Sequence, residues 1–356
     1  MSKESTCIKL PKIYGEKAIV LANKLEMVDN ALAIQRDEKY IYIPLLGEPL
    51  GNELDAFRRQ VRSLEVTTYR FPKRKKQANT LVEFLENKLP PHLLVSLPRS
   101  MDIVGDIAII EVLPELGVNK KLIGEAVLTV HKNVKTVLAK AGVISGTYRV
   151  REFSLIAGKP RTETVHKEYG CQYNVDLAKA YFSPRLSYEH KRVASLVQEG
   201  ETVVDMFAGV GPFSVLIAKT HQNVKAYAVD ANPFAVEFLR KNVRLNRVEG
   251  KVNSILGDAK EVVDAKLRAV ADRVIMNLPE KAIEFVDAAC KTLKPAGGIV
   301  HFYCFVTASD TLEDMRSRFT ETVERSGRKV EKFPYSNTVR ETAPYESQAV
   351  LDAIVH

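Results

Sequence analysis

The amino-acid sequence predicts an α/β protein: a doubly wound, largely parallel sheet closed by an antiparallel hairpin and preceded by two smaller α/β or α+β domains. Three observations predict it. The stretch "VVDMFAGVGPFSVLIAK", Val203 to Lys219, runs from an apolar strand through glycines directly into an amphipathic helix. A second apolar run, Val224 to Val229, ends in Asp230, and the segments "KVEKFPYSNTV" and "ESQAVLDAIV" form a final alternating pair. Strands buried on both faces and joined through helices belong to a parallel sheet.

In chain order, residues 1–66 are expected to form a small domain. It holds a helical pattern from Gly15 to Met27, the alternating strand "KYIYIPL" and a helix from about Asn52 to Leu64. The segment "TTYRFPKRKKQ" then places Arg70, Lys73, Arg74, Lys75 and Lys76 beside Tyr69 and Phe71. Such a run is either a solvated linker or a phosphate-contacting arm. Residues 67–170 are expected to form a middle domain, with a helix near Asn79 to Lys88, a strand "DIAIIEV" and a helix from about Gly117 to Ala141.

The remaining 171–356 hold the sheet. Its first strand, Thr202 to Met206, is followed by Gly209 and Gly211, which permit a tight turn and close backbone approach, and by Pro212 at the start of a helix. Ser214 stands where a dinucleotide-binding fingerprint has its third glycine, so the glycines alone do not choose a ligand. Asp230, roughly 20 residues farther on, is placed to bind ribose hydroxyls, which suits NAD and S-adenosylmethionine equally. Asp258 follows a third strand at a position suited to an adenine amine, and a fourth strand ends in Asn277-Leu278-Pro279. "GGIVHFYCFV" is a fifth strand and "SDTLEDMRSRFTETVERSG" a helix.

Composition bounds the function. The 356 residues suffice for two or three domains, and 46% hydrophobic residues fill ordinary cores. A formal charge of +8 with a pI of about 9.1 favours a polyanionic partner. Cys7, Cys171, Cys290 and Cys304 lie far apart, against a zinc site or a disulfide framework, so no metal is expected. Neither a signal peptide nor an apolar run of membrane-spanning length is present, and a cytoplasmic protein is expected.

The Asn-x-Pro tripeptide at the end of the fourth strand resembles the substrate-nitrogen motif of class I, S-adenosylmethionine-dependent methyltransferases acting on planar nitrogens. More specifically, "DIVGDIAII" (Asp102 to Ile110), "YRVREFSLIAG" (Tyr148 to Gly158), "TVHKEYG" (Thr164 to Gly170), "YFSPRLSYE" (Tyr181 to Glu189), "DMFAGVGPFS" and "NLP" occur in order. Together they resemble the archaeal and eukaryotic tRNA (guanine-N1) methyltransferases that modify the base at position 37. The resemblance is strongest over residues 100–350 and reaches the first domain only through its placement and coarse pattern.

That resemblance implies a class I methyltransferase Rossmann-like domain behind two RNA-binding domains, the first reading tRNA and the second contributing to the active site. It implies S-adenosyl-L-methionine held by Arg185, Asp205, Phe207, Gly209, Gly211, Asp230, Asp258, Asn277 and Pro279. Glu189 is the implied general base for the guanine N1 proton; the residues alone favour a first-turn carboxylate complementing a helix dipole. Arg149 is the implied cation at O6. Asn277 and Pro279 hold the base edge, and Tyr181 packs on base or cofactor. His190, where the family often has Arg, is given no role. The implied partner is tRNA, through its anticodon loop and folded core, bound by a monomer. The alternatives are a wyosine-pathway transferase acting on modified guanosine 37 and a catalytically silent tRNA-binding protein.

Overall fold

The computed structural model describes residues 2–61, 63–74, 78–142 and 151–356. Arg149, Lys75 and Lys76 therefore lie outside the described residues. The chain divides into two compact units, Met1–Ala78 and Asn79–His356.

In the first unit, β1 (Ser2–Pro11) precedes α1 (Gly15–Lys24), β2 (Gln35–Arg36), β3 (Tyr40–Pro44), α2 (Gly51–Gln60) and β4 (Glu65–Pro72). The antiparallel sheet has the order β2-β3-β1-β4. Ile8, Leu10, Ile41, Ile43 and Phe57 are buried together against Ala18 and Ala22 of α1. The polar-looking start of the chain is thus the central strand, because alternation leaves Ile8 and Leu10 facing the helices. The expected boundary at residue 66 falls inside β4. Rather than forming a linker, Thr67 to Pro72 pair with β1, Phe71 is fully buried, and Tyr69 stacks on Tyr42 at 4.3 Å.

The second unit opens with α3 (Leu81–Leu85), α4 (Pro91–Leu94), β5 (Met101–Val104), β6 (Ile107–Ile110), α5 (Lys120–Val130), β7 (Thr136–Lys140) and β8 (Phe153–Gly158). Its sheet has the order β5-β6-β7-β8. The single helix expected from Gly117 to Ala141 is α5 followed by β7. The β-branched pair Thr136-Val137 enters a parallel pairing with β6, and tertiary pairing overrides the helical pattern. At Gly124 a Cβ would lie 2.6 Å from the Ala157 Cβ, so glycine lets α5 rest on β8.

A hairpin of β9 (Glu163–Glu168) and β10 (Cys171–Asp176) leads into α6 (Ser187–Leu196), β11 (Thr202–Asp205), α7 (Pro212–Thr220), β12 (Lys225–Asp230), α8 (Pro233–Leu245) and β13 (Val252–Leu256). Then come α9 (Ala259–Lys266), β14 (Arg273–Met276), α10 (Val286–Thr292), β15 (Gly298–Thr307), α11 (Leu312–Arg325), β16 (Val330–Ala343) and β17 (Glu346–Val355). The large sheet has the order β13-β12-β11-β14-β15-β17-β16. Strands β11 to β15 are parallel and β17 and β16 close the edge antiparallel, as expected.

Val203 packs toward α6, α7 and α8, and Val204 toward α9, α10 and α11. Successive side chains on a strand point to opposite faces, so this run is apolar throughout. The β9–β10 hairpin is fastened to α8. Asn242 accepts from the Asn174 N–H at 2.7 Å, and Asn246 from the Gln172 N–H at 2.9 Å. Residues 79–170 and 171–356 lie together in the compact unit Asn79–His356. Among the described residues, no helix is long and apolar enough to cross a membrane.

Candidate active site

The carboxyl ends of β11, β12 and β14 open onto a cavity of about 470 Å³. Chain reversal between strand and helix places short loops there, and ligands of open α/β sheets gather at such ends. Of the expected residues, Tyr181, Phe207, Gly209, Asp230, Asp258, Asn277 and Pro279 line it.

Asp230 ends β12, and its Oδ2 accepts from the Gly209 N–H at 2.7 Å while Oδ1 accepts from the Asn232 N–H at 2.8 Å. Burial raises its pKa, and these two backbone donors pull the other way. A carboxylate offers about four acceptor sites, so Asp230 retains capacity for vicinal hydroxyls. Gly209 has φ of +55° and lets the backbone run along the cavity wall. Asp258 caps α9, accepting from the Lys260 N–H at 2.8 Å. Phe207 meets Phe285 edge-on at 4.9 Å, making an apolar wall suited to a flat ring. An acid for hydroxyls, an exposed backbone turn and aromatic walls fit a nucleoside cofactor.

Four expected cofactor or catalytic residues are placed otherwise. Gly211, φ +91°, faces α8: a Cβ there would lie 2.4 Å from Leu239 Cδ1, so its work is close packing. Asp205 is fully buried, its Oδ2 accepting from Ser214 Oγ at 2.8 Å and its Oδ1 without a hydrogen-bond partner. Burial lifts its pKa to about 7, with the Asp230 charge adding to the rise and Ser214 opposing it. It supports the turn from below. Arg185 does not line this cavity; it donates from Nε to Asp102 Oδ1 at 2.5 Å, on the wall of an adjoining cavity of about 340 Å³.

Glu189 lies one layer beneath, 2% exposed. Arg192 Nε reaches its Oε1 at 2.9 Å and Oε2 at 3.1 Å, Arg192 Nη2 reaches Oε2 at 2.9 Å, and the Tyr303 hydroxyl donates to Oε2 at 2.7 Å. Arg192 Nη1 also donates to Asp352 Oδ2 at 2.6 Å, and Asp352 Oδ1 lies 2.6 Å from His301 Nδ1. Burial works against the Asp352 charge, yet His301 and Arg192 bring its pKa down to about 2. His190 is buried and pairs with Glu168 at 2.8 Å.

The two cavities share Tyr181, Glu280, Phe305 and Arg340. The smaller one is lined by Lys140, Arg151, Arg185 and Arg340 together with Asp102, Glu280, Glu341 and Glu346, a rim of mixed charge in which Arg185 pairs with Asp102. Arg340, Gln348, Tyr303 and Asp352 were not anticipated as site residues. A signal for two of them exists in "ESQAVLDAIV", where Gln348 and Asp352 interrupt an apolar strand at an interval of four and so share one face. Polar groups on a buried face imply a hydrogen-bonded function.

Comparison with known proteins adds a family to this geometry. Residues 164–331 match the TRM5/TYW2 methyltransferase domain, 81–162 the TYW2 N-terminal domain and 7–53 the tRNA methyltransferase 5 N-terminal domain. The tRNA (guanine(37)-N(1))-methyltransferase Trm5b of Pyrococcus abyssi is 39% identical over 345 residues, 97% of each chain. A solved complex of aTrm5 and tRNALeu aligns with a TM-score of 0.75 and 31% identity, covering 98% of this chain and 99% of that one. The structure of Pyrococcus horikoshii TYW2 in complex with MeSAdo aligns at 0.66 and 31% identity, covering 77% of this chain and 97% of its own.

Proposed function

Because the chain belongs to the TRM5/TYW2 methyltransferase family, we propose that it transfers a methyl group from S-adenosylmethionine to N1 of guanosine 37 in tRNA. The observation that carries this reading is coverage. The guanine-N1 methyltransferase of P. abyssi matches 97% of the chain, whereas the TYW2 structure spans 77% of it. The first unit, whose residues 7–53 match the Trm5 N-terminal domain, favours the guanosine enzyme.

When bound, S-adenosylmethionine supplies an electrophilic methyl group on a sulfonium. The chain's residues do the rest. Asp230 and Asp258 hold the nucleoside, Phe207 and Phe285 wall it, and Tyr181, Pro279 and Asn277 present the acceptor base from the adjoining cavity. Guanine N1 carries a proton that must leave as the new bond forms, and Glu189 is assigned to receive it. Its Oε1 accepts only from Arg192 Nε among the described residues, so an acceptor position remains. Arg149 is assigned to the negative charge that develops on O6. The first unit is assigned to tRNA recognition, and the enzyme is taken to act as a cytoplasmic monomer on the anticodon loop and folded core.

Mass spectrometry of nucleosides from unmodified tRNA incubated with protein and S-adenosylmethionine tests the reading. The expected product is 1-methylguanosine at position 37. The match of residues 81–162 to the TYW2 N-terminal domain favours the wyosine-pathway alternative, which predicts transfer only to tRNA already carrying the tricyclic base.

A further inference from the structure

The closing hairpin meets the cavity wall through a directed set of hydrogen bonds. Arg340 on β16 donates from Nε to Gln348 Oε1 at 2.9 Å, from Nη1 to Ser183 Oγ at 2.7 Å and from Nη2 to Tyr181 Oη at 3.0 Å. Gln348 on β17 donates from Nε2 to Asn277 Oδ1 at 3.0 Å. Gln348 is 1% exposed, and all three residues line the larger cavity.

These directions are forced by chemistry. The two ends of a carboxamide are alike in shape, but a guanidinium has donors only. Arg340 therefore draws the oxygen of Gln348 toward Nε, which leaves Nε2 to donate. That donor in turn draws Asn277 Oδ1, so the end of Asn277 left over is Nδ2, and no group among the described residues accepts from it.

We propose that Arg340 and Gln348 are specificity-determining positioning residues that lock Asn277 as a hydrogen-bond donor, selecting a purine with a keto oxygen at C6. Guanine and hypoxanthine present an acceptor there; adenine presents an amine whose hydrogens oppose Nδ2. The inference rests on the reading of the chain as a guanosine 37 N1-methyltransferase.

The test measures single-turnover methyl transfer to tRNA transcripts bearing guanosine, inosine or adenosine at position 37. The wild type is expected to use the first two and to discriminate against adenosine. Gln348→Glu keeps the Arg340 contact but presents acceptors only, so Asn277 turns Nδ2 inward and offers Oδ1 to the base. The guanosine-to-adenosine rate ratio is expected to fall by about 10–100-fold, as for a site whose buried polar groups lose their match, with S-adenosylmethionine affinity retained. Gln348→Met releases Asn277 to turn either way and lowers the ratio by a smaller factor; it decides the matter should the charged variant fail to bind S-adenosylmethionine. An unchanged ratio in a variant that binds S-adenosylmethionine overturns the relay while leaving the function intact. A wild type that transfers no methyl group to guanosine 37 overturns the function, and the relay with it.

Discussion

Arg192 grips Glu189 by both carboxylate oxygens and Asp352 by both of its own, at 2.6 Å for the shortest contact. One guanidinium thus joins α6 to β17 beneath the cavity. Burial opposes its charge, yet the bonds to Asp352 and Glu189 hold its pKa above the usual value. Removing one member of such a buried set leaves an uncompensated charge.

Glu189→Gln retains shape and removes basicity. Single-turnover methyl transfer is expected to fall by about 10²–10⁴-fold, with tRNA and S-adenosylmethionine affinities nearly unchanged. A wild-type rate in this variant returns Glu189 to a structural partner of Arg192. Arg192→Met, by contrast, is expected to lose roughly 3–5 kcal/mol of stability, read as a shift in the urea midpoint.

Asp205 makes stability depend on pH in a defined direction. Its folded pKa, lifted by burial to about 7, lies above the unfolded value, so the folded state binds the proton more tightly. The stability it contributes is present below the unfolded pKa and is lost as pH rises from about 4 to about 7. Asp205→Asn stays neutral throughout. The variant is therefore expected to gain on the ligand-free wild type across that window, by a total on the order of 4 kcal/mol. Denaturant titrations at several pH values check this; a difference that does not change with pH refutes it.

Asp230 and Gly211 separate binding from packing. Asp230→Ala removes acceptors for the ribose and the restraint on the Gly209 N–H, and is expected to weaken S-adenosylmethionine binding by roughly 1–3 kcal/mol in calorimetry. NAD is expected not to bind the wild type. Gly211→Ala drives a Cβ into Leu239 at a backbone conformation disfavoured for alanine, and is expected to cost roughly 1–3 kcal/mol of stability. If Gly211→Ala instead leaves stability intact and abolishes binding, Gly211 belongs to the cofactor site.

Deleting Met1–Ala78 removes one whole compact unit, β4 included. The shortened protein is expected to bind S-adenosylmethionine like the full chain and to lose discrimination among tRNAs. Binding of the full chain to tRNA should weaken as salt rises, because phosphate neutralisation releases counterions. Identical tRNA preferences in both forms would remove the recognition role from the first unit.

By itself the sequence determined the parallel sheet, its closing hairpin, and the loop residues Gly209, Asp230, Asp258 and Asn277 that meet at one cavity. Those features are local: an apolar run buried on both faces, a glycine turn or an acid at a strand end is written in consecutive residues. Tertiary structure alone decided the rest. The segment Thr136 to Lys140 continues a helical pattern, yet it is a strand because β6 offers it partners. Gly211 resembles a ligand-binding glycine until Leu239, far along the chain, is seen against it. Glu189 stands at the start of a helix in the sequence, three residues before the Arg192 that pairs with it, but the Tyr303 bond to Glu189, and the link from Arg340 through Gln348 to Asn277, depend on β15, β16 and β17 arriving beside it. Hydrogen-bond direction between residues distant in sequence is a property of three-dimensional proximity, and no periodicity along the chain encodes it.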